Sequence, residues 1–435
     1  MRGKYLFCLA SIVMTISCSP SKNPLFKKTS AHETYGNGLT EAGLRKTQLG
    51  TAWFNAAAQS MQQPSVITLP FKETGYFAGD RPTAAGYIFD VRKGDRVVVR
   101  INTLPETGFK LFTEIWQAAE TGSSPSLLTA TDTLVSQLQV NVKKEGRFLV
   151  RLQPELLQGV EYTITITTAP SLAFPVDKSG NPKLISLWGV PRDGGARKHE
   201  GVDISARNRT PALASADGYV SRVSENGIGG KVVFLKDDDF GYSIYYAHLD
   251  EQLVRPGQKV RAGDTLGLVG NTGNAKTTIP HLHYGIYTNT GAIDPLAFID
   301  PKRSEPKPVS LPVKNLNKWM RTSSNVSLAS GPAESTQTST KLASGDAVFI
   351  ESVTDKSYKI ITAGGVRGYL PGNTLSSASL KKIIASSDTR LLDRPAHGAA
   401  SKLIIPKGTT MDILGNYFEF SLVNYSNTEG WVLRK

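Results

Sequence analysis

His199-Glu-Gly-Val-Asp203, Tyr246-Ala-His248-Leu249 and His281-Leu-His283 are the three stretches from which the fold of this chain can be predicted. They contain four of the six histidines in a chain of 435 residues. In the first stretch, Gly201 and the β-branched Val202 favour an extended backbone over a helix. An even spacing along a strand then places His199 and Asp203 on the same face.

The third stretch has the alternation of a half-buried strand. His281 and His283 are separated by one residue, so their imidazoles project from the same surface of a sheet. Leu282, which lies between them, then points to the opposite side, toward a core. The pattern predicts that polar side chains from distant parts of the chain gather on one sheet surface.

Glycine-rich turns and alternating apolar residues separate the three stretches, which predicts an antiparallel β-sheet for a domain over residues 173–300. The glycines at 227–230 lie between strands and open no helix, which disfavours a phosphate-binding loop. The acidic run 237–239 is followed by no series of calcium ligands, so we interpret it as a solvated hairpin turn.

Two imidazoles and a carboxylate are a donor set that suits a catalytic zinc ion, which keeps three protein ligands and a water. His199, Asp203 and one of the later histidines would complete that set. Zinc lowers the pKa of its bound water to roughly 7 and polarises a carbonyl group. The two remaining histidines are then candidates for proton transfer and for holding an oxyanion.

Other hydrolytic sites are disfavoured by the sequence. Glu200 follows His199, but position 203 is not the histidine that a His-Glu-x-x-His motif requires. The sequence has no Gly-x-Ser-x-Gly elbow for a serine nucleophile. His32 and His397 belong to none of the three stretches, and we predict no role for them.

The chain resembles the lysostaphin-like zinc metallopeptidases over about a quarter to a third of its length. The matching segments, in the order of the family, are Leu187-Trp-Gly-Val-Pro-Arg-Asp-Gly-Gly195, His199-Glu-Gly-Val-Asp-Ile204, Tyr245-Tyr-Ala-His-Leu249, Val254-Arg-Pro-Gly-Gln-Lys-Val260, Gly267-Leu-Val-Gly-Asn-Thr-Gly273 and His281-Leu-His-Tyr284.

This resemblance implies that His199, Asp203 and His283 ligate one Zn²⁺, while His248 and His281 serve the activated water and the oxyanion. It also implies a compact antiparallel sheet with the site in a groove across one face. Members of the family cut peptide bonds in the stem or cross-link peptides of bacterial peptidoglycan. One departure is Gly285, which stands where the family commonly has glutamate. The resemblance therefore does not predict which groups surround the histidine pair.

Two other functions are alternatives for this sequence. Some relatives have lost their metal ligands and act as wall-binding regulators or amidase activators, and intact ligands favour the enzyme. The Pro-Gly and Gly-Asp turns are also similar to lipoyl-carrier hairpins, but no lysine lies centrally in a tight turn there.

The length of the chain predicts its number of domains, and its charge limits the kinds of partner that it is expected to have. A chain of this length predicts two to four domains. The formal charge of +13 and the pI of about 9.5 favour a polyanionic surrounding such as a cell-wall polymer, an anionic membrane or nucleic acid. No nucleic-acid motif supports the last of these, and the basic residues are spread along the chain.

The start of the chain predicts export. Residues 1–17 have a charged beginning and a short apolar run, and they end before Cys18 in a segment that resembles a bacterial lipobox. We therefore predict a lipid on Cys18, a tether over 18–38 and an outer-membrane anchor facing the periplasm, with a plain signal peptide as the alternative. Cys8 leaves with the signal, so the mature chain has neither a disulfide nor a thiolate ligand.

Residues 39–170 predict an accessory domain: one helix from Thr40, as the N-cap, to about Gln62, followed by a β-sandwich. The predicted strands are Ser65–Leu69, Tyr87–Val91, Arg96–Ile101, Lys110–Ile115, Arg147–Leu152 and Glu161–Ile166. This domain resembles the sandwiches found beside secreted bacterial peptidases, and we interpret it as a spacer or a binding module.

A linker at 301–315 precedes two similar segments, 320–376 and 383–435. Each offers a strand, a glycine-centred turn, a strand pair and a closing glycine-aromatic strand. They resemble bacterial SH3-like barrels, which often bind the cell wall, and inert packing domains are the alternative. The fold class predicted for the whole chain is therefore mainly β: a sandwich, a central antiparallel sheet and two small barrels.

Overall fold

A computed structural model describes residues 29–120, 123–132, 137–301, 304–332 and 337–434. The predicted signal peptide, Cys18 and the first part of the tether lie outside the described residues, as do two residues of the linker. Many more residues lie in strands than in helices, which confirms the mainly-β prediction. In the part of the chain that the structure describes, no helix has both the length and the apolar character needed to cross a bilayer.

Two helices precede the sandwich: α1 at Ala31–Glu41 and α2 at Gln48–Gln62. The prediction of one helix that begins at Thr40 was wrong. Gly43 adopts a left-handed conformation with a φ of 74°, which ends the first helix, and Thr47 caps the second by accepting a hydrogen bond from the Gly50 amide at 3.1 Å. The predicted extent of the tether is also corrected, because its last residues form α1, in which His32 and Leu39 are buried.

The sandwich consists of two sheets that share one core. The first sheet contains, in spatial order, β1 (Ser65–Val66), β3 (Ala85–Val91), β8 (Gly146–Pro154), β5 (Leu111–Gln117) and β6 (Ser126–Thr131). The second contains β2 (Phe71–Phe77), β9 (Val160–Pro170), β4 (Asp95–Leu104) and β7 (Leu138–Asn141). Buried side chains from both, including Tyr87, Ile115, Val150 and Ile164, pack together between them.

The central domain is built on an antiparallel sheet. Its strands are, in spatial order, β10 (Lys183–Ser186), β13 (Val202–Ser205), β20 (His281–Thr288), β17 (Ser243–Gln252), β16 (Gly230–Asp237), β15 (Gly218–Asn226) and β18 (Lys259–Val260), joined by β14 (Pro211–Leu213), β19 (Thr265–Val269) and β21 (Gly291–Ile293). A separate hairpin, β11 (Pro191–Arg192) with β12 (Arg197–Lys198), precedes β13, and helix α3 (Leu296–Ile299) closes the domain.

Two C-terminal segments follow. The first has β22 (Trp319–Thr322), β23 (Val326–Ala329), β24 (Gln337–Leu342), β25 (Ala347–Val353), β26 (Ser357–Thr362), β27 (Arg367–Pro371) and β28 (Leu375–Ser376). The second has β29 (Lys381–Ile384), β30 (Thr389–Leu392), β31 (Ser401–Ile405), β32 (Thr410–Tyr417), β33 (Phe420–Tyr425) and β34 (Thr428–Leu433). Single 3₁₀ turns lie at Leu44–Lys46, Lys178–Gly180, Gly273–Ala275, Val313–Asn315 and Gly372–Thr374.

The two C-terminal segments differ in how they join the rest of the molecule. Strand β25 pairs with β2, so the first segment continues a sheet of the sandwich. The buried carboxylate of Glu73 in β2 accepts hydrogen bonds from Tyr87 at 2.7 Å and from Tyr369 of the first segment at 2.6 Å. The second segment instead forms its own sheet, in the order β29-β32-β33-β34-β30-β31.

Candidate metal centre

Strand pairing brings the predicted ligands together on one face of the central sheet. In the antiparallel register of β13 and β20, Asp203 lies opposite His283. His281 and His283 point to this face, whereas Leu282 between them is fully buried in the core. The alternation predicted for this strand is therefore present. His199 lies outside a strand, immediately after β12, and enters the same face from the preceding hairpin.

Three donor atoms converge at this face. His199 Nε2 lies 3.0 Å from Asp203 Oδ1 and 3.0 Å from His283 Nδ1, and the last two atoms are also 3.0 Å apart. This trio is a cluster with the composition and closeness of a metal site. Donors about 2.0–2.2 Å from a tetrahedral zinc ion stand roughly 3.3–3.6 Å apart, within a few tenths of an ångström of this arrangement.

The hydrogen-bond partners of His199 test whether a cation fits. Its Nδ1 lies 2.8 Å from the carbonyl oxygen of Leu187, which can only accept, so Nδ1 carries the proton. In the neutral ring, Nε2 is then a lone pair that faces the Asp203 carboxylate. Two lone pairs 3.0 Å apart repel unless a positive charge lies between them, so the donor set suits a bound cation.

Charge and burial act in opposite directions on the acid of the trio. Burial raises the pKa of Asp203, but the neighbouring imidazoles of His199 and His283 outweigh this effect and hold that pKa well below its usual range. Burial lowers the pKa of His283, and the charge of Asp203 partly offsets this. An anionic Asp203 carboxylate and a neutral His283 imidazole are the states in which these groups bind metals.

His248 and His281 form a second pair beside the trio, with ring centroids 5.0 Å apart. Each Nδ1 lies 2.9 Å from a backbone carbonyl, that of Thr272 for His248 and that of Ile279 for His281. Both rings therefore carry their proton on Nδ1 and keep the Nε2 lone pair. Burial, followed by electrostatic repulsion between the two rings when both are protonated, lowers the pKa of His248 to about 4, so this ring is neutral at pH 7.

The backbone of His248 supports its placement. Its φ is 62°, an uncommon conformation for a residue other than glycine, and its amide donates to the carbonyl of Gly229 at 2.7 Å. A register shift follows at Leu249–Glu251 in the pairing with β19. Strained backbone of this kind is common at functional sites.

Both groups of side chains line one groove with a volume of about 1070 Å³. The hairpin that carries Arg192 and Lys198 forms one wall, and Thr278 with the exposed Ile279 lies on another side. Every residue that lines this groove belongs to the span 185–287. Among the described residues, neither the sandwich nor the C-terminal segments line it.

The structure accounts for the glycine at position 285. A Cβ atom there would lie 3.0 Å from the Glu200 carbonyl oxygen and 3.1 Å from a ring carbon of Tyr287. A side chain at position 285 would therefore require its neighbours, including the groove residue Tyr287, to shift by a few tenths of an ångström. Burial, followed by the charge of Glu200, raises the pKa of Tyr287 to about 12, so its hydroxyl stays protonated.

Sequence reasoning missed two residues of the site, Arg192 and Ser186. Arg192 Nη2 donates to Asp203 Oδ2 at 2.6 Å and to Ser186 Oγ at 2.9 Å. Arg192 lies inside the matched segment 187–195, but no spacing rule indicated its partner. The contact depends on how the β11–β12 hairpin folds back onto β13.

The remaining two histidines lie elsewhere in the fold. His32 is buried under the sandwich and stacks on Trp53 with ring centroids 4.6 Å apart. His397 is exposed in the second C-terminal segment and lies 3.2 Å from a carboxylate oxygen of Glu419. Neither joins the groove.

Comparison with known proteins places this site in a family context. Residues 197–295 match the model of peptidase family M23, and this span contains all five predicted site residues. An uncharacterized metalloprotease from Haemophilus influenzae is 42% identical over 107 residues, which cover 24% of this chain and 22% of the relative. The peptidoglycan DD-endopeptidase ShyC from Vibrio cholerae is 35% identical over 26% of this chain and 25% of its own length.

A third relative matches over a longer span. The uncharacterized lipoprotein YgeR from Escherichia coli is 29% identical over 248 residues, which cover 54% of this chain and 89% of the relative. The chain thus spans about a quarter of the first two relatives and most of the third. The similarity that all three share with this chain supports an M23 peptidase domain related to peptidoglycan endopeptidases.

Proposed function

We propose that this protein is a zinc-dependent endopeptidase that hydrolyses peptide bonds in the stem or cross-link peptides of bacterial peptidoglycan. The observation that carries the proposal is the convergence of His199 Nε2, Asp203 Oδ1 and His283 Nδ1 within 3.0 Å of one another in an open groove. His199, Asp203 and His283 would hold the ion. When bound, Zn²⁺ supplies a Lewis acid for the substrate carbonyl and a water that is acidic near neutral pH.

The second histidine pair supplies the proton chemistry. Because His248 and His281 keep their protons on Nδ1, each presents a bare Nε2 that can accept a proton from the attacking water. A ring that has accepted this proton becomes a cation, which can stabilise a developing oxyanion or return the proton to the leaving amine. The backbone carbonyls of Thr272 and Ile279 hold the two rings in the tautomer that this role requires.

The substrate class rests on the groove and on the relatives. A groove of about 1070 Å³ that is open along one sheet face suits an extended peptide rather than a small molecule. ShyC is a peptidoglycan DD-endopeptidase by name, which supports peptidoglycan as the polymer. The net positive charge of the chain, +13, is compatible with an anionic wall.

We further propose that the protein is held in the cell envelope by a lipid on Cys18, at the outer membrane and facing the periplasm. The relative YgeR is named a lipoprotein and aligns over 54% of this chain, which supports an envelope location. The C-terminal segments 320–376 and 383–435 are proposed to be SH3-like modules that position the groove on the wall. Since the first continues a sheet of the sandwich, the second is the better candidate for a wall contact.

A non-enzymatic regulator that binds the wall or activates an amidase is the second candidate. This alternative draws on relatives that have lost their metal ligands. Here the three donor atoms and both further histidines are in place, so the enzyme is favoured.

Digestion of purified peptidoglycan by the mature protein tests the proposal. We expect new amino termini, loss of activity with a chelator and recovery with added Zn²⁺. His283→Ala should lower hydrolysis to background and reduce bound zinc, because it removes one of three ligands. Mass spectrometry of the released fragments would identify the bond that is cut.

His397→Ala is the matched control, because it removes an exposed imidazole that pairs with Glu419 outside the groove. It should retain full zinc content and activity. Fragment release by His283→Ala at the rate of this control would rule out the proposed mechanism. Binding of peptidoglycan without any new amino termini in the zinc-loaded protein would favour the regulator.

A further inference from the structure

Arg192 is a cation that contacts one of the proposed metal ligands, Asp203. Its Nη2 donates to Asp203 Oδ2 at 2.6 Å, while Asp203 Oδ1 is the oxygen that faces the two imidazoles. The two oxygens of this carboxylate therefore have separate partners. A charge-assisted bond to one oxygen fixes the plane of the carboxylate and leaves the other oxygen as a single donor.

The same nitrogen of Arg192 has a second acceptor. It donates to Ser186 Oγ at 2.9 Å, and Ser186 lies opposite Asp203 in the pairing of β10 with β13. Ser186 Oγ also lies 3.2 Å from His199 Nδ1. The guanidinium thus connects two strands of the sheet and contacts, directly or through one hydroxyl, two of the three proposed ligands.

The position of Arg192 in the fold explains why this contact matters. The hairpin of β11 and β12 is separate from the main sheet, and His199 follows β12 immediately. Since Arg192 lies in β11 and binds Asp203 in β13, its contact ties the hairpin to the sheet at the metal site. The side chain is about one-third exposed and lines the groove, so it is not needed to fill a core.

We propose that Arg192 is a positioning residue that holds Asp203 as a single-oxygen metal ligand and fixes the hairpin that carries His199. This inference rests on the proposed zinc site but not on peptidoglycan as the substrate.

Two effects on zinc affinity oppose each other at Arg192. Its positive charge repels a dication, whereas its hydrogen bonds preorganise the ligands. We infer that preorganisation outweighs repulsion because two separate strands and the hairpin depend on these contacts.

Zinc affinity of the whole mature protein, measured by competition with a chelating dye, tests the inference without any substrate. Arg192→Met should bind Zn²⁺ roughly 10- to 100-fold more weakly, as is usual when a residue that orients a ligand is lost. Arg192→Lys keeps the charge and can reach one acceptor, so it should bind Zn²⁺ more tightly than Arg192→Met but more weakly than the wild type. The visible spectrum of the Co²⁺-loaded protein should change in Arg192→Met, because the coordination of Asp203 is no longer restricted to one oxygen.

Arg209→Met is the matched control, because Arg209 also binds two carboxylates, Asp250 and Glu251, but lines no part of the groove. It should leave zinc affinity unchanged. Should Arg192→Met fail to fold, Ser186→Ala removes one acceptor without a charge change and should still weaken zinc binding at least about threefold.

Unchanged or tighter zinc binding by the folded variants would overturn the inference, since repulsion would then equal or exceed preorganisation. The proposed function fails in a different way. If the wild-type protein binds zinc and loses affinity in Arg192→Met but releases no wall fragments, the positioning role stands and the endopeptidase proposal falls.

Discussion

The groove and the interface between the helices and the sandwich contain the same four kinds of functional group: an imidazole, a carboxylate, a guanidinium and a hydroxyl. In the groove, His199, Asp203, Arg192 and Ser186 contact one another. Under the sandwich, a corresponding set consists of His32, Glu114, Arg151 and Ser30. Both sets bury an imidazole and a carboxylate, yet only the first has the properties of a reactive centre.

The difference lies in the ring nitrogens. Arg151 Nη2 donates to His32 Nδ1 at 3.1 Å, so the proton of the neutral ring is on Nε2, which lies 2.7 Å from Gln153 Oε1. Both nitrogens of His32 are therefore paired within the protein. In contrast, His199 donates its Nδ1 proton to the backbone carbonyl of Leu187. Its Nε2 faces the Asp203 carboxylate as a lone pair.

The carboxylates differ in the same way. Glu114 accepts hydrogen bonds from Arg151, from Ser30 at 2.8 Å and from Trp116 at 3.1 Å, so both of its oxygens face donors. Asp203 accepts a hydrogen bond from Arg192 on Oδ2, whereas its Oδ1 faces two imidazole nitrogens. Burial alone therefore does not identify a functional histidine or acid. A buried imidazole lone pair that faces a carboxylate oxygen, as at His199, does.

The largest effect should come from exchanging one buried histidine in each region for glutamine. His248→Gln should lower kcat for peptidoglycan hydrolysis by roughly 10²- to 10⁴-fold, the usual contribution of a general acid or base, with zinc content retained. His32→Gln should leave hydrolysis unchanged and lower the free energy of unfolding by about 1–3 kcal/mol through imperfect hydrogen bonds. Rates, zinc content and urea unfolding of both variants would be measured together. A loss of hydrolysis in His32→Gln without unfolding would erase the distinction between the regions.

Much of the site could be predicted from sequence because it depends on strand periodicity. The spacing of His281 and His283 is sufficient to place both on one face, and the order of the three stretches matches a known family. Contacts through irregular segments could not be predicted in this way. The bond from Arg192 to Asp203 depends on the path of a short hairpin, and no local pattern encodes it.

In the accessory regions, too, the local sequence pattern did not predict contacts between distant segments. The helix boundary was wrong because Gly43 adopts a left-handed conformation that ends the first helix, and a single glycine is a weak local signal for such a break. The burial of His32 depends on the stacking of Trp53, which comes from a different helix. Pairing of β2 with β25 joins segments far apart in the chain, and alternation within either strand contains no information about its partner.

A smaller effect is expected from Glu114→Gln, which breaks the buried pair with Arg151 and leaves an uncompensated charge. We expect the free energy of unfolding of the sandwich to fall by about 3–5 kcal/mol. Zinc affinity should not change, because Glu114 lies outside the groove. Urea denaturation and zinc competition would measure the two quantities. As a control, Glu120→Gln removes an exposed acid that pairs with Lys144, and it should leave the free energy of unfolding nearly unchanged.

The smallest effect concerns the pH dependence of stability. Burial, followed by the charge of Arg151, lowers the pKa of His32 to about 4, against 6.5 for a free histidine. The unfolded chain therefore takes up a proton at this residue before the folded chain does. Stability from this group is complete above about pH 6.5 and is lost as the pH falls toward 4, by about 2–3 kcal/mol at pH 4.5.

Unfolding in urea at pH 7 and pH 4.5 would measure this loss in the wild type and in His32→Gln. The variant lacks the titrating ring, so its loss should be smaller by this amount. An equal loss in both proteins would show that the paired nitrogens of His32 do not resist protonation, and the contrast with the groove would then rest on the carboxylates alone.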